Sequence, residues 1–234
     1  MEQIIGILGG MGSLATVDFF KRIVDAYPAE KEWDRPRIII DNNCTMPSRV
    51  RAILYNEDVE KLLSQMCASI DAMMNMGANN IILACNTSHY FLPQIYKKVP
   101  NSEKYIINII DCLAIQMKRK GVKKALLVAS EGTYQTRIYD NYYPNDEIVM
   151  LEKNTWEKVR SFIEAIKQDA VTMEIELEFS NFINNLVLDD VILGCTELPI
   201  LFRKCIDDGF EFNKKIYDPL QAAINYLTGE IENG

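Results

Sequence analysis

The sequence predicts an α/β protein built from two similar halves, each with a parallel sheet. Apolar runs of strand length alternate with amphipathic stretches of helical length along the 234 residues. Two apolar runs end alike, in a small residue, a cysteine and then polar residues, at Cys85 and Cys195. A weak repeat relates residues 5–16 to residues 126–136 at an offset of 120 (136 − 16), and the cysteines lie 110 apart (195 − 85).

The predicted elements follow from apolar periodicity and from turn and cap residues. Strands are predicted at residues 4–8, 38–40, 80–84, 105–110, 124–129, 147–151, 191–194 and 216–217. Helices are predicted at residues 13–28, 58–76, 88–98, 111–120, 134–142, 156–167, 172–188, 200–207 and from 219 onward. Ser13 is a suitable N-cap, Gly77 a suitable C-terminal stop, and Pro219 a suitable first helical residue.

The repeat predicts two domains related by a pseudo-two-fold axis. The first would consist of residues 1–103 with 210–234 and carry Cys85. The second would consist of residues 104–209 and carry Cys195. We expect the two cysteines to face one another across the cleft between these domains.

Composition and short motifs exclude several classes of protein. The net charge of −8 (25 − 33) argues against a general nucleic-acid surface. The N-terminus lacks the features of a signal peptide, and no apolar run approaches the about 18 residues of a membrane span. We therefore predict a cytoplasmic protein, whose six cysteines are thiols. A single histidine provides no zinc set, and the turn at residues 9–12 lacks dinucleotide-motif spacing, so neither metal nor nucleotide is predicted.

The two cysteines sit where ligands bind in parallel α/β sheets, beyond the carboxyl ends of strands. Each precedes a predicted helix, whose N-terminus favours a thiolate and binds carboxylates. A thiol on each side of a small carboxylate-bearing molecule can remove a proton from one face of a carbon and return one to the other, which is racemase or epimerase chemistry. The alternative is that each cysteine is a small buried hydrophobe. That alternative is the interpretation we keep for the remaining four, Cys44, Cys67, Cys112 and Cys205.

Three segments together resemble the aspartate/glutamate racemase family, most closely its aspartate racemase branch. They are Gly9-Gly-Met-Gly-Ser-Leu-Ala-Thr16, Ala84-Cys-Asn-Thr-Ser-His89 and Gly194-Cys-Thr-Glu-Leu-Pro199. The resemblance spans nearly the whole chain. It implies two α/β domains with the site in their cleft, Cys85 and Cys195 as the acid/base pair, no pyridoxal phosphate or other cofactor, no metal, and a homodimer.

The resemblance also implies a set of residues that contact the substrate. The α-carboxylate contacts and pocket residues would be Met11, Asn86, Thr87, Ser88, Thr133 and Thr196. Ser88 stands where the family usually has Ala, and Ser13 replaces the Pro that usually follows the glycine loop. His89 is expected to orient Cys85 or the helix start rather than to transfer a proton. Glu197 would influence the substrate ammonium or the thiol, or act as a helix N-terminal charge.

Two basic residues would hold a side-chain carboxylate. Arg49 fits the family position after the second strand, with Arg51 as the competing candidate. Lys167 is the best match for the second cation, although Gln168-Asp169 replaces the glycine usually found nearby. An Arg fork and a mobile Lys charge would together select a dicarboxylic amino acid.

The sequence therefore predicts a cofactor-independent racemase that interconverts L- and D-aspartate. Glutamate or broad-specificity racemisation is the nearest alternative, followed by a decarboxylase or a cis–trans isomerase of a dicarboxylate. A non-catalytic amino-acid-binding protein would have no need of both thiols. A thiol redox sensor would need the two thiols to come within bonding distance, whereas a site with a substrate between them holds them apart.

Overall fold

The computed structural model describes residues 2–143 and 147–230. Its strands are β1 (Ile4–Gly9), β2 (Arg37–Asn42), β3 (Asn80–Leu83), β4 (Ile106–Ile107), β5 (Ala125–Ala129), β6 (Ile148–Met150), β7 (Asp190–Gly194) and β8 (Lys215–Tyr217). Its helices are α1 (Ser13–Ala26), α2 (Arg49–Tyr55), α3 (Val59–Asn75), α4 (Leu92–Lys98), α5 (Ile109–Arg119), α6 (Glu131–Thr136), α7 (Trp156–Lys167), α8 (Met173–Asn184), α9 (Leu198–Asp207) and α10 (Pro219–Leu227). This alternation of strands and helices confirms the predicted α/β class.

The strands form two four-stranded parallel sheets with the same order. The first sheet runs β2-β1-β3-β4 and the second runs β6-β5-β7-β8. In the first, Ile5 pairs with residues of both β2 and β3, and in the second Leu126 pairs with residues of both β6 and β7. Each strand therefore has its counterpart four strands later, as the weak sequence repeat predicted.

The turn after the first strand of each sheet repeats in atomic detail. The Thr16 hydroxyl donates to the Gly12 carbonyl over 2.9 Å, and the Thr136 hydroxyl donates to the Gly132 carbonyl over 2.9 Å. The two pairs lie 120 residues apart (136 − 16 and 132 − 12), which is the offset found in the sequence. Both turns lie at the carboxyl ends of their strands and form part of the site described below.

The two halves share a continuous apolar core. Ile5, Ile7 and Ile82 of the first sheet belong to one buried cluster with Leu127 and Ile192 of the second. Helices α5 and α10 supply the other side of this cluster. The opposite faces of the sheets pack against α3 and α4 in the first half and against α7, α8 and α9 in the second. Because side chains alternate between the faces of a strand, both faces of each sheet are apolar, as expected for parallel sheets.

None of the helices in the described ranges combines the length and apolar character needed to cross a lipid bilayer.

Two strands pair on the other side of the predicted domain boundaries. β4 pairs with β3 in the first sheet, although residues 104–209 were predicted to belong to the second domain. β8 pairs with β7 in the second sheet, although residues 210–234 were predicted to return to the first. In each half the fourth strand, β4 or β8, forms an edge of its own sheet, and a helix, α5 or α10, follows it. Residues 231–234 of the predicted first domain lie outside the described residues.

Local capping explains three differences from the predicted helices. α5 begins at Ile109, inside the predicted strand, because the Asn108 side chain accepts hydrogen bonds from two N–H groups of its first turn. α6 begins earlier than expected, with Ser130 as its N-cap. α2 was not predicted. It begins immediately after the polar loop, where the Ser48 hydroxyl caps it.

Candidate active site

The two cysteines lie at the carboxyl ends of equivalent strands. Cys85 follows β3 after one residue and is 9% exposed, while Cys195 directly follows β7 and is partly exposed. The hydroxyl of Thr196 lies 3.4 Å from the Ala84 carbonyl oxygen, a contact that joins the two strand ends across 112 residues of sequence. The structure therefore brings both predicted catalytic segments together.

Two side chains hold the carbonyl group of Cys85. The Ser88 hydroxyl donates to it over 2.6 Å, and Nδ1 of His89 lies 2.9 Å from it. Ser88 is fully buried and its proton is engaged in this bond, which differs from its predicted contact with substrate. A short 3-10 helix (Thr87–Phe91) then leads into α4. These bonds fix the position of Cys85 at the end of its strand.

His89 is held as a neutral ring. Its Nε2 accepts a 3.4 Å hydrogen bond from the Ile109 N–H, which leaves Nδ1 to donate to the Cys85 carbonyl. Burial lowers the pKa of His89 from its ordinary 6.5 to about 4. Both ring nitrogens are engaged within the protein, in agreement with the expected orienting role.

The buried His89 predicts an acid-sensitive stability. Above pH 6.5 the imidazole is neutral in both states. As the pH falls from 6.5 toward 4, the imidazole becomes protonated in the unfolded chain but stays neutral in the folded chain. The free energy of unfolding therefore falls, with a limiting slope of about 1.4 kcal/mol per pH unit. Urea unfolding between pH 7 and 5 measures this slope.

His89→Asn is the matched variant for this measurement, because its amide can still donate to the Cys85 carbonyl but does not titrate. We expect a flatter pH dependence of its unfolding free energy, whatever its stability at pH 7. Because the chain has a single histidine, equal slopes for the two proteins over this range would contradict the assignment.

Three hydroxyls, two of them buried and one partly buried, form a cluster between the two halves. Thr87 Oγ1 lies 2.9 Å from Ser130 Oγ and 3.0 Å from Thr133 Oγ1, and the last two atoms are 3.2 Å apart. Gly132 lies beside them, and a Cβ there would come within 3.0 Å of the Thr87 methyl group. The cluster joins two predicted site residues, Thr87 and Thr133. Ser130 was not predicted, although its place at the end of an apolar run marked it as a turn residue.

Cys195 has a carboxylate partner. Its thiol donates to Glu197 Oε2 over 3.0 Å, and Glu197 is only 2% exposed. Burial raises the pKa of Cys195 well above its ordinary value, and the negative charge of Glu197 raises it further. The helix N-terminus was expected to favour a thiolate here. That expectation is wrong for Cys195, because desolvation and the adjacent carboxylate outweigh the helix.

Glu197 faces the glycine loop of the first half. A Cβ on Gly12 would lie 2.1 Å from Glu197 Oε1, so only glycine leaves room for this carboxylate. In the described part of the chain Oε1 has no hydrogen-bond partner. Gly12 with Glu197 mirrors Gly132 with Thr87, but one pair presents a charge and the other a hydroxyl. The two sides of the site therefore differ in charge.

Replacing Glu197 with glutamine should make Cys195 easier to deprotonate and slow racemisation. The variant removes the charge that raises the thiol pKa, and it replaces a carboxylate that can take up the thiol proton with an amide that can only accept a hydrogen bond from it. We expect Cys195 to be alkylated by iodoacetamide at lower pH, measured by peptide mass spectrometry. We expect aspartate turnover to fall by roughly 10²-fold. Glu164→Gln, which removes a carboxylate near Lys167 without a contact to the thiol, serves as the control. An unchanged alkylation profile in Glu197→Gln would contradict the thiol–carboxylate pairing.

A pocket of ≈ 380 Å³ opens beside these groups. Its wall includes Met11 and Arg49 from the first half and Lys167 and Glu197 from the second. Three predicted substrate-contact residues therefore line one pocket. Cys44 also lines it, within 3.0 Å of the Ser13 hydroxyl, so this exposed thiol is not the buried hydrophobe that was predicted.

Arg49 rather than Arg51 faces the pocket. The Arg49 Nη groups donate to the carbonyls of Pro47 and Met11, both over 3.0 Å, which ties the β2–α2 loop to the glycine loop. Its Nε is buried and has no partner among the described residues. Arg51 instead engages Glu57 through two hydrogen bonds on the surface. The guanidinium of Arg49 therefore keeps donors for an incoming anion.

Lys167 reaches the same pocket from the end of α7. The carboxylate of Glu164 lies 3.8 Å from its Nζ. Burial lowers the pKa of Lys167, but the nearby acidic groups, above all the negative charge of Glu197, outweigh burial and leave the pKa above its ordinary value. The ammonium group is thus charged beside Arg49. In residues 2–143 and 147–230, no group of three or more His, Cys, Asp and Glu residues is arranged to hold a metal ion.

The remaining predicted residue, Asn86, is 2% exposed and bonds to a residue that the sequence analysis missed. Its Oδ1 accepts a 2.7 Å hydrogen bond from the hydroxyl of Tyr139, which is fully buried. Tyr139 lies 53 residues away in a stretch containing several tyrosines, and nothing in the local pattern singles it out.

Comparison with known proteins places this arrangement among racemases. Residues 8–227 match the family described as Asp/Glu/hydantoin racemase. Among solved structures, an aspartate racemase from Picrophilus torridus is 26% identical, with a TM-score of 0.78 covering 97% of this chain and 94% of the other. A broad-specificity amino-acid racemase of Bacillus subtilis is 24% identical over 201 residues, 83% of this chain and 85% of that protein. A glutamate racemase of Lactobacillus acidophilus is 24% identical over 226 residues, 95% of this chain and 78% of that protein.

Proposed function

The chain belongs to the Asp/Glu/hydantoin racemase family, and we propose that it interconverts L- and D-aspartate, with one of Cys85 and Cys195 removing the α-proton and the other delivering a proton to the opposite face. Family membership makes the protein an amino-acid racemase, an isomerase. The observation that carries the choice of aspartate is the pair of cations, Arg49 and Lys167, on the wall of a pocket beside the carboxylate partner of Cys195.

Each turnover uses two proton transfers at the α-carbon, one at each sulfur atom. One cysteine, as thiolate, removes the α-proton, and the other, as thiol, delivers a proton to the opposite face of the same carbon. The substrate's configuration is inverted, and the two sulfurs end with exchanged protonation states. The raised pKa of Cys195 favours it as the thiol in the resting enzyme, with Cys85 as the base. With the opposite enantiomer as substrate the roles are reversed: Cys195, as thiolate, removes the proton and Cys85, as thiol, delivers one, which is the protonation state that the first reaction leaves. Glu197 lies within hydrogen-bond distance of the Cys195 thiol and can accept its proton when Cys85 is protonated from solvent.

The α-carboxylate is held by donors beside Cys85, and the side-chain carboxylate by the cations. Nδ2 of Asn86 is buried without a partner in the described residues, and it is the first of these donors. The hydroxyl cluster around Thr87 and the hydroxyl of Thr196 lie next to it. Donors fixed in place before the reaction stabilise the charge that develops on the α-carbon and its carboxylate.

Dicarboxylate selectivity follows from the charges on the pocket wall. Arg49 offers Nε and the remaining N–H groups of its fork, and Lys167 adds a point charge. The likeness to the Picrophilus torridus aspartate racemase supports aspartate. The likeness to the broad-specificity racemase of Bacillus subtilis supports the alternative of a wider substrate range.

We retain three further predictions as part of this proposal: a site in the cleft between two domains, a homodimer, and a cytoplasmic location. The first is supported by the pocket wall and the hydroxyl cluster, to which both halves contribute. The other two are supported by family membership.

A substrate panel tests the proposal. The purified protein is incubated with L-aspartate, L-glutamate and L-alanine separately, and the enantiomers are quantified by chiral chromatography. We expect rapid formation of D-aspartate and much slower reaction of the other two. Comparable rates for all three would favour the broad-specificity alternative, and racemisation of none would exclude the proposed function.

A further inference from the structure

The buried hydroxyl of Tyr139 joins the loops that carry the two cysteines. It donates to Asn86 Oδ1 over 2.7 Å. A Cβ on Gly194, the residue before Cys195, would lie 3.1 Å from the same hydroxyl. Tyr139 thus lies between the residue that follows Cys85 and the residue that precedes Cys195, without being part of either loop.

This bond decides which end of the Asn86 amide remains free. An asparagine side chain carries an acceptor at Oδ1 and two donors at Nδ2. The tyrosine proton engages Oδ1, and Nδ2 has no partner in the described part of the chain although Asn86 is 2% exposed. A buried donor without a partner is costly, so it marks a position where a ligand acceptor binds.

The surroundings keep the tyrosine in place as a donor. Tyr139 is fully buried and stacks on Tyr143, with ring centroids 6.1 Å apart. Burial raises the pKa of the Tyr139 phenol well above its ordinary value, so the hydroxyl keeps its proton at all working pH values. No rotation of the ring about its own axis moves the hydroxyl away from Asn86, because the hydroxyl lies on that axis.

We propose that Tyr139 is a positioning residue that holds the Asn86 amide with its N–H groups toward the substrate α-carboxylate. The inference rests on the proposed function, because it assigns the ligand acceptor as that carboxylate. Without the phenol proton, the amide can rotate by 180° and present its oxygen to the carboxylate, which repels it. Tyr139 itself need not touch the substrate.

Tyr139→Phe tests this role, because it removes one oxygen atom and keeps the ring. We expect the KM for aspartate to rise about tenfold, with a smaller change in kcat. The dissociation constant of succinate, a dicarboxylate without an amino group or a stereocentre, should rise by a similar factor in calorimetric titration. Tyr143→Phe is the matched control, because its hydroxyl contacts the Met117 sulfur instead of Asn86. It should leave both values unchanged.

A double-mutant cycle separates positioning from a general structural effect. In an Asn86→Ala background, Tyr139→Phe should have no further effect on KM or on succinate binding, because the amide it orients is gone. Additive effects, an unchanged KM in Tyr139→Phe, or an equal rise in Tyr143→Phe would overturn the proposal.

A second variant covers the case in which Tyr139→Phe does not fold. Asn86→Asp keeps the acceptor for Tyr139 but replaces the free donors with an oxygen, and it should lose succinate binding. Full retention of succinate binding by Asn86→Asp would overturn the assignment of Nδ2 as the carboxylate donor. If the wild-type protein binds succinate but racemises no amino acid, the proposed function fails while the succinate comparisons still decide the role of Tyr139.

Discussion

Replacement of either Cys85 or Cys195 by serine should reduce aspartate racemisation by roughly 10³-fold or more. A serine hydroxyl is far less acidic than a thiol. It is therefore not ionised to act as the base at neutral pH, and it is a poor proton donor because delivering its proton would leave an alkoxide. Each single variant should fail in both directions, since a complete turnover uses both sulfurs. Chiral chromatography of reactions started from L- and from D-aspartate measures the loss.

Cys67→Ser is the matched control for the cysteine variants. Cys67 is a partly buried thiol on α3 and takes no part in the contacts of the site. Its serine variant should keep the wild-type rate, which separates loss of a catalytic thiol from loss of any thiol. If Cys85→Ser or Cys195→Ser kept the wild-type rate while remaining folded, the two-base mechanism would be wrong.

Arg49→Met should lower kcat/KM for aspartate by about 100-fold. Methionine keeps most of the side-chain volume but removes the buried Nε donor and the charge that faces the pocket. It also releases the Met11 carbonyl that Arg49 binds, so the glycine loop loses one of its ties. Steady-state kinetics with aspartate, together with alanine as a substrate lacking the distal carboxylate, measure the effect.

The comparison with alanine decides what Arg49 contributes. Loss of carboxylate recognition lowers kcat/KM for aspartate much more than for alanine. A general collapse of the pocket would lower both equally and contradict the specificity role. Arg51→Met serves as the control, because Arg51 pairs with Glu57 on the surface and should affect neither substrate.

The repeat made the fold predictable from the sequence. Residues 12–16 and 132–136 form the same turn with the same Thr-to-Gly hydrogen bond. The repeated sequence therefore predicted a repeated local structure correctly. The sheet edges were not predictable in this way. β4 has only two residues, and its pairing with β3 depends on contacts that no local pattern specifies.

The candidate site was predictable where function requires a reactive residue, and not where it depends on a partner distant in sequence. Cys85 and Cys195 were visible as polar ends of apolar runs. Tyr139 pairs with Asn86 across 53 residues, and the Thr196 contact with Ala84 spans 112. The raised pKa of Cys195 depends on the desolvation of the thiol in the folded chain and on the carboxylate of Glu197 beside it, which sequence spacing alone does not reveal.

Deuterium incorporation during racemisation tests the two-base mechanism most directly. L-Aspartate is incubated with the enzyme in D2O. At early conversion the two enantiomers are separated, and the deuterium content of each is measured by mass spectrometry. We predict that the D-aspartate carries deuterium at the α-carbon, because the delivering thiol has exchanged with solvent, while the remaining L-aspartate still carries protium. D-Aspartate that retains the substrate's own α-proton would instead indicate a single base that returns the proton it removed, and would contradict the exchange between Cys85 and Cys195.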